Sequence, residues 1–288
     1  MFDVIVPLYK VKPIYLDRCL TSISHKIQKE HFESDYKIFL IDKTPLDWEY
    51  FEECKDIIDS YAEITYIRQN GEGVSQARNQ SVSLGSNPYI CFLDGDDYWY
   101  DSHLFEISEG IKHSDEDTMI WWSAMDMHLG SVLDDTKKTH YVINHIGDFD
   151  DWIEEFSYYY LTKTPICTST VCVRRSRFEE VGGFLEDYAI GEDIEMWSRM
   201  VGHPKLSNKT YKAKQLPVIT AYKTIHEDNT TEGGTQSFVF ENSKNKNIFE
   251  EQLEQLMNLY QIPSIDDKPE HISKEEWENI MDRYIKIL

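Results

Sequence analysis

The sequence predicts an α/β fold with a mainly parallel sheet flanked by helices, followed by a C-terminal helical extension. Short apolar, β-branched segments alternate with segments of helical spacing over the first hundred residues. This alternation is typical of βαβ units and of a parallel sheet. The extension is set apart because residues 236–262 are rich in amides and charges, and Pro263 and Pro269 follow. A chain of 288 residues can bury a substantial core.

Four segments of the first hundred residues are predicted as strands, because each is a short, apolar and β-rich run. These predicted strands are residues 2–8, 36–42, 64–67 and 89–93. Between them, apolar residues recur at the spacing of one helix face. This spacing predicts helices over residues 14–27, 51–61 and 74–84.

For the second part of the chain, the sequence predicts a mixture of strands, helices and loops. Strands are predicted at residues 118–129, 167–173 and 218–224, a loop or small hairpin at 129–144, and helices at 148–161, 176–181 and 194–201. Near the C-terminus, an apolar stripe of helical spacing is formed by Trp277, Ile280, Met281, Tyr284, Ile285 and Leu288. We interpret this stripe as packing against the domain, with a homodimer contact through the C-terminal helices as the alternative.

The charge balance argues against two classes of partner. The formal net charge is -23, from 29 Lys+Arg and 52 Asp+Glu, which opposes binding to nucleic acid and to anionic lipid. No apolar run is long enough to cross a bilayer, and the first residues form a predicted strand instead of a signal-like segment. Five cysteines without a CxxC pair are typical of reduced thiols. We therefore predict a cytoplasmic protein.

The most informative segment is residues 91–97, an apolar run that ends in three carboxylates around a glycine. The carboxylates fall where a strand leaves the predicted sheet, and open α/β sheets bind their ligands at such positions. Three neighbouring anions would repel a phosphate unless a divalent cation joined them. The sequence therefore predicts a phosphate held by a metal, with an ordinary Asp- and Gly-rich turn as the alternative.

Three further segments carry residues suited to a nucleotide ligand. Asp42 ends the second predicted strand beside Tyr9 of the first, so a ring could stack on a base while the carboxylate accepts its N–H. Gly73 opens the helix that carries Arg78, and glycine allows a ligand to approach the backbone closely. Residues 191–197 place two carboxylates at a helix N-terminus, where the helix dipole favours their ionised form.

In this order and spacing, the segments resemble the family 2 glycosyltransferases, which are nucleotide-sugar enzymes of the GT-A fold. The motifs that carry the resemblance are Val4–Tyr9, Asp42, Gly73 with Ala77–Asn79, Phe92–Asp97, Val181–Phe184 and Gly191–Asp193. The resemblance implies a GT-A domain with a Rossmann-like sheet at residues 1–232, so the predicted helical extension occupies residues 233–288. Within the domain, residues 1–100 would form the nucleotide-binding half and residues 101–232 the acceptor half.

The resemblance also implies roles for individual residues. The residues that would bind the nucleotide or the donor sugar are Pro7, Tyr9, Asp42, Gly73, Arg78, Asp94, Gly95 and Asp96. Asp42 would contact the base, most often uracil in this family, although Lys43 and Thr44 depart from the family's common turn and leave the base identity open. Arg78 would support the diphosphate or orient Asp94, with a surface salt bridge as the alternative.

The remaining roles concern the metal and the reaction. The DXD motif of the family corresponds to Asp94–Asp96, so that Asp96 and His226 would ligate a divalent cation. Oxygen ligands with one imidazole suit Mn²⁺ better than Mg²⁺. Asp193 would be the catalytic base, and Glu192 would line the acceptor side. The implied reaction moves a sugar from a UDP-sugar to an acceptor hydroxyl, with inversion at the anomeric carbon.

Two other functions are open. A sugar-nucleotide pyrophosphorylase shares this kind of sheet and acidic metal site, but it needs a glycine-rich basic loop that residues 8–13 do not contain. A non-catalytic sugar or nucleotide binder is the second, although Asp94, Asp96 and Asp193 argue against it. The acceptor stays open between a glycan, a lipid carrier, a protein and a small molecule. Residues 229–234 are interpreted as a lid or as a connector.

Overall fold

The computed structural model describes residues 1–129, 139–143, 166–186, 191–202, 211–224 and 226. The strands in these ranges are β1 Phe2–Leu8, β2 Tyr36–Asp42, β3 Ile64–Arg68, β4 Tyr89–Phe92, β5 Tyr98–Trp99, β6 Thr118–Leu129, β7 Thr139–Ile143, β8 Val171–Arg174 and β9 Lys212–Lys223. The α-helices are α1 Pro13–Ile23, α2 His25–Gln28, α3 Phe51–Asp59, α4 Val74–Leu84, α5 His103–Lys112, α6 Arg175–Glu180 and α7 Glu192–Val201. A 3-10 turn, Thr168–Thr170, precedes β8.

All of these strands belong to one sheet, in the order β3-β2-β1-β4-β8-β6-β9-β5, and β7 pairs with β6. The first four strands are parallel, as predicted, with Leu8 opposite Asp42 and Asp42 opposite Arg68. The side chains of β1 and β2 are mostly buried on both faces, which explains the nearly continuous apolar sequences of these two strands. Because parallel strands end at the same edge, the residues that follow β1, β2 and β4 meet there.

The second part of the sheet is mixed. Strand β8 runs antiparallel to β4 and to β6, whereas β6 and β9 are parallel. The predicted strand at residues 167–173 is wrong at its start, because Thr170 donates its backbone N–H and its hydroxyl to the carbonyl of Cys167 and closes a turn. Strand β9 begins at Lys212, earlier than predicted. Two elements were not predicted: β5, which is only two residues long, and α5, despite the helical spacing of Leu104 and Ile107.

Several predictions fall on residues outside the described ranges. These are the helix at 148–161, the connector or lid at 229–234, the extension at 233–288 and a dimer contact through it. They stay predictions. No helix in the described part of the chain is long and apolar enough to cross a membrane.

The core consists of two layers, one on each face of the sheet. Alternate residues of β1 enter different layers: Val4 and Val6 pack with α1, α3 and α5, whereas Ile5 packs with α4, α6 and α7. This alternation follows from the two-residue period of a strand. Helices on both faces therefore leave the strand ends as the accessible edge of the sheet.

A buried histidine links α5 to β9. His103 is fully buried, its Nδ1 lies 2.6 Å from the hydroxyl oxygen of Thr220, and its ring stacks on Trp99 at 3.9 Å between centroids. Its Nε2 has no hydrogen-bond partner in the described part of the chain. Burial lowers the pKa of His103 to about 3, so the imidazole is neutral in the folded protein.

This burial predicts a pH-dependent loss of stability. Below the ordinary pKa of histidine, near 6.5, the unfolded chain binds a proton that folded His103 rejects until the pH approaches 3. The free energy of unfolding should therefore fall as the pH drops through this window, by roughly 2 kcal/mol between pH 7 and pH 5 from this residue. Urea unfolding of the wild type and of His103→Asn at both pH values isolates the contribution. Equal losses in the two proteins would contradict it.

Candidate active site

The predicted acidic turn, Asp94–Asp97, follows β4 at the edge where the parallel strands end. The N–H of Asp97 donates to the carbonyl of Asp94 at 3.0 Å and closes the turn. A Cβ on Gly95 would lie 2.2 Å from Leu8 Cδ2 and 3.1 Å from the carbonyl oxygen of Pro7. Only glycine fits here without a shift of its neighbours, because the turn packs directly on the end of β1.

Asp96 and His226 meet at this turn, although they are far apart in the sequence. Asp96 Oδ2 and His226 Nε2 lie 3.0 Å apart, and both side chains are mostly buried. The ring of Tyr15, from α1, stacks on the imidazole at 4.7 Å between centroids and fixes its plane. A carboxylate oxygen and an imidazole nitrogen that face each other form a donor set that fits a divalent cation such as Mn²⁺.

Arg78 joins this turn to α7. Its guanidinium donates from Nη2 to Asp94 Oδ1 at 2.9 Å and from Nη1 to Glu192 Oε1 at 2.8 Å, and its side chain is only 3% exposed. Burial lowers the pKa of Arg78, but the two carboxylates raise it by more, so the guanidinium stays charged. Arg78 is therefore no surface salt bridge: it orients Asp94 and Glu192 at once.

Asp42 lies at the same edge but is already engaged with the protein. Its side chain is 4% exposed and accepts the N–H of Thr44 at 2.7 Å, the hydroxyl of Tyr66 at 2.8 Å and a guanidinium N–H of Arg68. Tyr9, in contrast, is 61% exposed just beyond β1. The structure thus brings the predicted aromatic ring and carboxylate to one edge, with the ring open to a ligand and the carboxylate held by three donors.

Two glycines begin the helices that carry Arg78 and Asp193. Gly73 precedes α4 with φ 83° and Gly191 precedes α7 with φ 79°, in the left-handed region that other residues rarely adopt. Each lets the chain turn sharply from a loop into a helix. Asp193 thereby lies in the first turn of α7, and its Oδ2 accepts a hydrogen bond from Thr168 Oγ1 at 3.3 Å.

The acidic turn is also held by two residues that were not predicted, Ser169 and Thr224, which both donate to Asp97. Ser169 donates its hydroxyl to Asp97 Oδ2 at 2.5 Å, and the N–H of Thr224 donates to Asp97 Oδ1 at 2.9 Å. Burial raises the pKa of Asp97 to about 7, although the charge of Lys223 acts in the opposite direction. Asp97 was visible in the motif, but nothing in the sequence around Ser169 or Thr224 indicated a contact with it.

The sequence of the chain matches one protein-family model and several curated relatives. Residues 3–181 match the model of glycosyl transferase family 2. Two curated relatives come from Bacillus subtilis (strain 168). The uncharacterized glycosyltransferase EpsJ is 30% identical over 41% of this chain and 32% of EpsJ. The minor teichoic acid biosynthesis protein GgaB is 36% identical over 33% of this chain and 10% of GgaB. The chain thus spans no more than about a third of the length of these relatives.

The fold of the chain matches that of a solved structure from S. aureus. TarS of S. aureus, residues 1–349, in complex with UDP-GlcNAc superposes with a TM-score of 0.58 at 13% identity, over 99% of this chain and 81% of that one. This likeness confirms the predicted GT-A fold. With its α/β sheet, its acidic turn and a family match over residues 3–181, the chain belongs to glycosyl transferase family 2.

Proposed function

We propose that this protein transfers a sugar from a nucleotide-diphosphate sugar to an acceptor hydroxyl, with inversion at the anomeric carbon. The observation that carries the proposal is the contact of Arg78 with both Asp94 and Glu192. Asp94 belongs to the acidic turn suited to the donor, and Glu192 directly precedes Asp193, the proposed base. One buried guanidinium therefore joins the donor side and the base side of a single site.

A UDP-sugar is the proposed donor. TarS, which shares the fold, binds UDP-GlcNAc. In this chain, the exposed ring of Tyr9 is available to stack on a base. A carboxylate has about four lone-pair sites, and protein donors occupy three of those of Asp42. Asp42 could thus accept one further N–H, such as that of uracil, from a fixed position.

Asp96 and His226 would hold Mn²⁺, or Mg²⁺ in its place. The bound ion would supply Lewis-acid stabilisation of the negative charge on the departing diphosphate. The proposal is supported by the approach of Asp96 Oδ2 to His226 Nε2 at 3.0 Å and by the ring of Tyr15 that fixes the imidazole.

Asp193 would accept the proton of the acceptor hydroxyl as that hydroxyl attacks the anomeric carbon. Its place in the first turn of α7 favours the ionised carboxylate that a base requires. Glu192 is held by Arg78, so it would shape the site and leave the proton transfer to Asp193. Direct attack by this hydroxyl, assisted by one base, would give a single displacement with inversion.

The proposal is tested by incubating the protein with Mn²⁺, a panel of nucleotide sugars and a set of hydroxyl acceptors. We expect release of a nucleoside diphosphate that depends on donor and acceptor together. Formation of a nucleotide sugar from a sugar phosphate and a nucleoside triphosphate would instead identify a pyrophosphorylase. Nucleotide binding without turnover for every donor and acceptor would favour a non-catalytic binder.

Replacement of the proposed base should separate catalysis from binding. Asp193→Asn keeps the shape of the side chain but cannot accept the proton, so we expect kcat to fall by about 10²-fold or more. The affinity for the nucleoside diphosphate, measured by calorimetry, should stay within about twofold of the wild type, since the base does not face the leaving group. Asp59→Asn, at an exposed position of α3, is the matched control. A variant that kept most of its kcat would remove Asp193 from this role.

Replacement of the proposed metal ligand should act on binding. Asp96→Ala should weaken nucleotide binding in Mn²⁺ by at least about 10-fold, because loss of a direct ligand costs at least as much metal affinity as loss of a supporting residue. In EDTA the two proteins should bind the nucleotide equally. His31→Ala is the control, since Glu30, His31 and Asp101 form an exposed group that could hold a cation elsewhere. An unchanged Mn²⁺ requirement in Asp96→Ala would argue against this site.

A further inference from the structure

The 3-10 turn Thr168–Thr170 lies beneath the site and touches both of its sides. All three side chains are at least 95% buried. The turn is fixed internally by Thr170, whose N–H and hydroxyl both donate to the carbonyl of Cys167. It is also fixed from outside, because Trp99 Nε1 donates to the carbonyl of Ser169 at 2.7 Å. The hydroxyls of Thr168 and Ser169, which contact the site, therefore have defined positions.

The hydroxyl of Ser169 makes two contacts with the acidic turn. It donates to Asp97 Oδ2 at 2.5 Å and accepts the backbone N–H of Asp94 at 3.2 Å. Asp97 in turn accepts the N–H of Thr224, two residues before His226. One hydroxyl thus connects the backbone that carries Asp94 to the strand end that carries His226.

The hydroxyl of Thr168 contacts the other side of the site. It lies 3.3 Å from Asp193 Oδ2, where only the hydroxyl can be the donor if the carboxylate is ionised. A hydrogen bond to the ionised form favours that form over the neutral acid. Thr168 also fixes the direction of the carboxylate. Adjacent residues of one turn therefore hold the proposed base and the acidic turn.

We propose that Thr168 and Ser169 are positioning residues of this site: Thr168 orients the carboxylate of Asp193, while Ser169 sets the position of the acidic turn relative to His226. This inference rests on the proposed function, because Asp193 is the base only in that reaction. The contacts of Thr168 and Ser169 themselves do not depend on which sugar or acceptor is used. The turn acts as a rigid spacer, so that the distance between base and acidic turn depends on a buried element instead of on exposed loops.

The first test removes the Thr168 hydroxyl and keeps the side-chain volume. Thr168→Val should lower kcat by about 10-fold, the order expected for one lost hydrogen bond to a charged group. Donor KM and nucleotide affinity should stay within about twofold. The acidic limb of the kcat–pH profile should move to higher pH, because the ionised carboxylate loses a donor that favours it. Thr168→Ser, which keeps the hydroxyl, should restore both kcat and the profile.

Thr170→Val is the matched control in the same turn. Thr170 is equally buried, but its hydroxyl binds only the turn itself in the described part of the chain. If the pH profile depends on the Thr168–Asp193 contact, Thr170→Val should leave it in place even where thermal stability falls. A Thr168→Val protein with wild-type kcat and profile, or a Thr170→Val protein with the same shift, would overturn the role of Thr168.

The second test addresses Ser169 by binding alone. Ser169→Ala should weaken nucleoside diphosphate binding in Mn²⁺ by about 10-fold, again as for one hydrogen bond to a charged group, and should leave binding in EDTA unchanged. Equal affinities of Ser169→Ala and wild type in Mn²⁺ would overturn the role of Ser169. A wild type that transfers no sugar would instead contradict the proposed function, whereas active wild type with unaffected variants would contradict only this inference.

Discussion

The arrangement of the site depends on one buried guanidinium, that of Arg78. Arg78 is almost fully enclosed, and a guanidinium without partners would be very unfavourable there, so two carboxylates approach it from different parts of the chain. Asp94 comes from the turn after β4 and Glu192 from the start of α7. Their shared partner fixes the distance between the parallel part of the sheet and the helix that carries Asp193. The two ion pairs of Arg78 therefore set the position of the acidic turn relative to the start of α7, which carries the proposed base.

The other carboxylates of the site are compensated by separate elements. Asp42 is held by donors from β3 and from its own turn. Asp97 is held by Ser169 and by the backbone after β9, with Lys223 close enough to act on its pKa. These contacts show what the mixed half of the sheet contributes to the site. The residues that flank β8 and β9 supply two neutral hydrogen-bond donors, Ser169 and Thr224, and the charge of Lys223 to the acidic turn. They thereby offset the repulsion between the carboxylates of the turn.

The parallel half could be predicted because its signals are local. Each strand is a short apolar run, each helix has its own spacing, and Asp42 and Asp94 lie at strand ends that a parallel sheet must bring to one edge. The contact of Thr168 with Asp193 could not be predicted in this way. Residues 167–173 have the composition of a strand, yet their first part is a turn, because hydrogen bonds to Cys167 compete with the ladder.

Local sequence was sufficient to predict the order of the four parallel strands and the helical segments between them, the acidic turn and the glycines that precede α4 and α7. These follow from periodicity and from backbone preferences, which act between near neighbours. Only the folded chain buries Arg78 between two carboxylates, gives Asp42 three protein donors and brings His226 to Asp96 across 130 residues. Burial and charge interactions depend on distances in space, and no local pattern of residues encodes those distances.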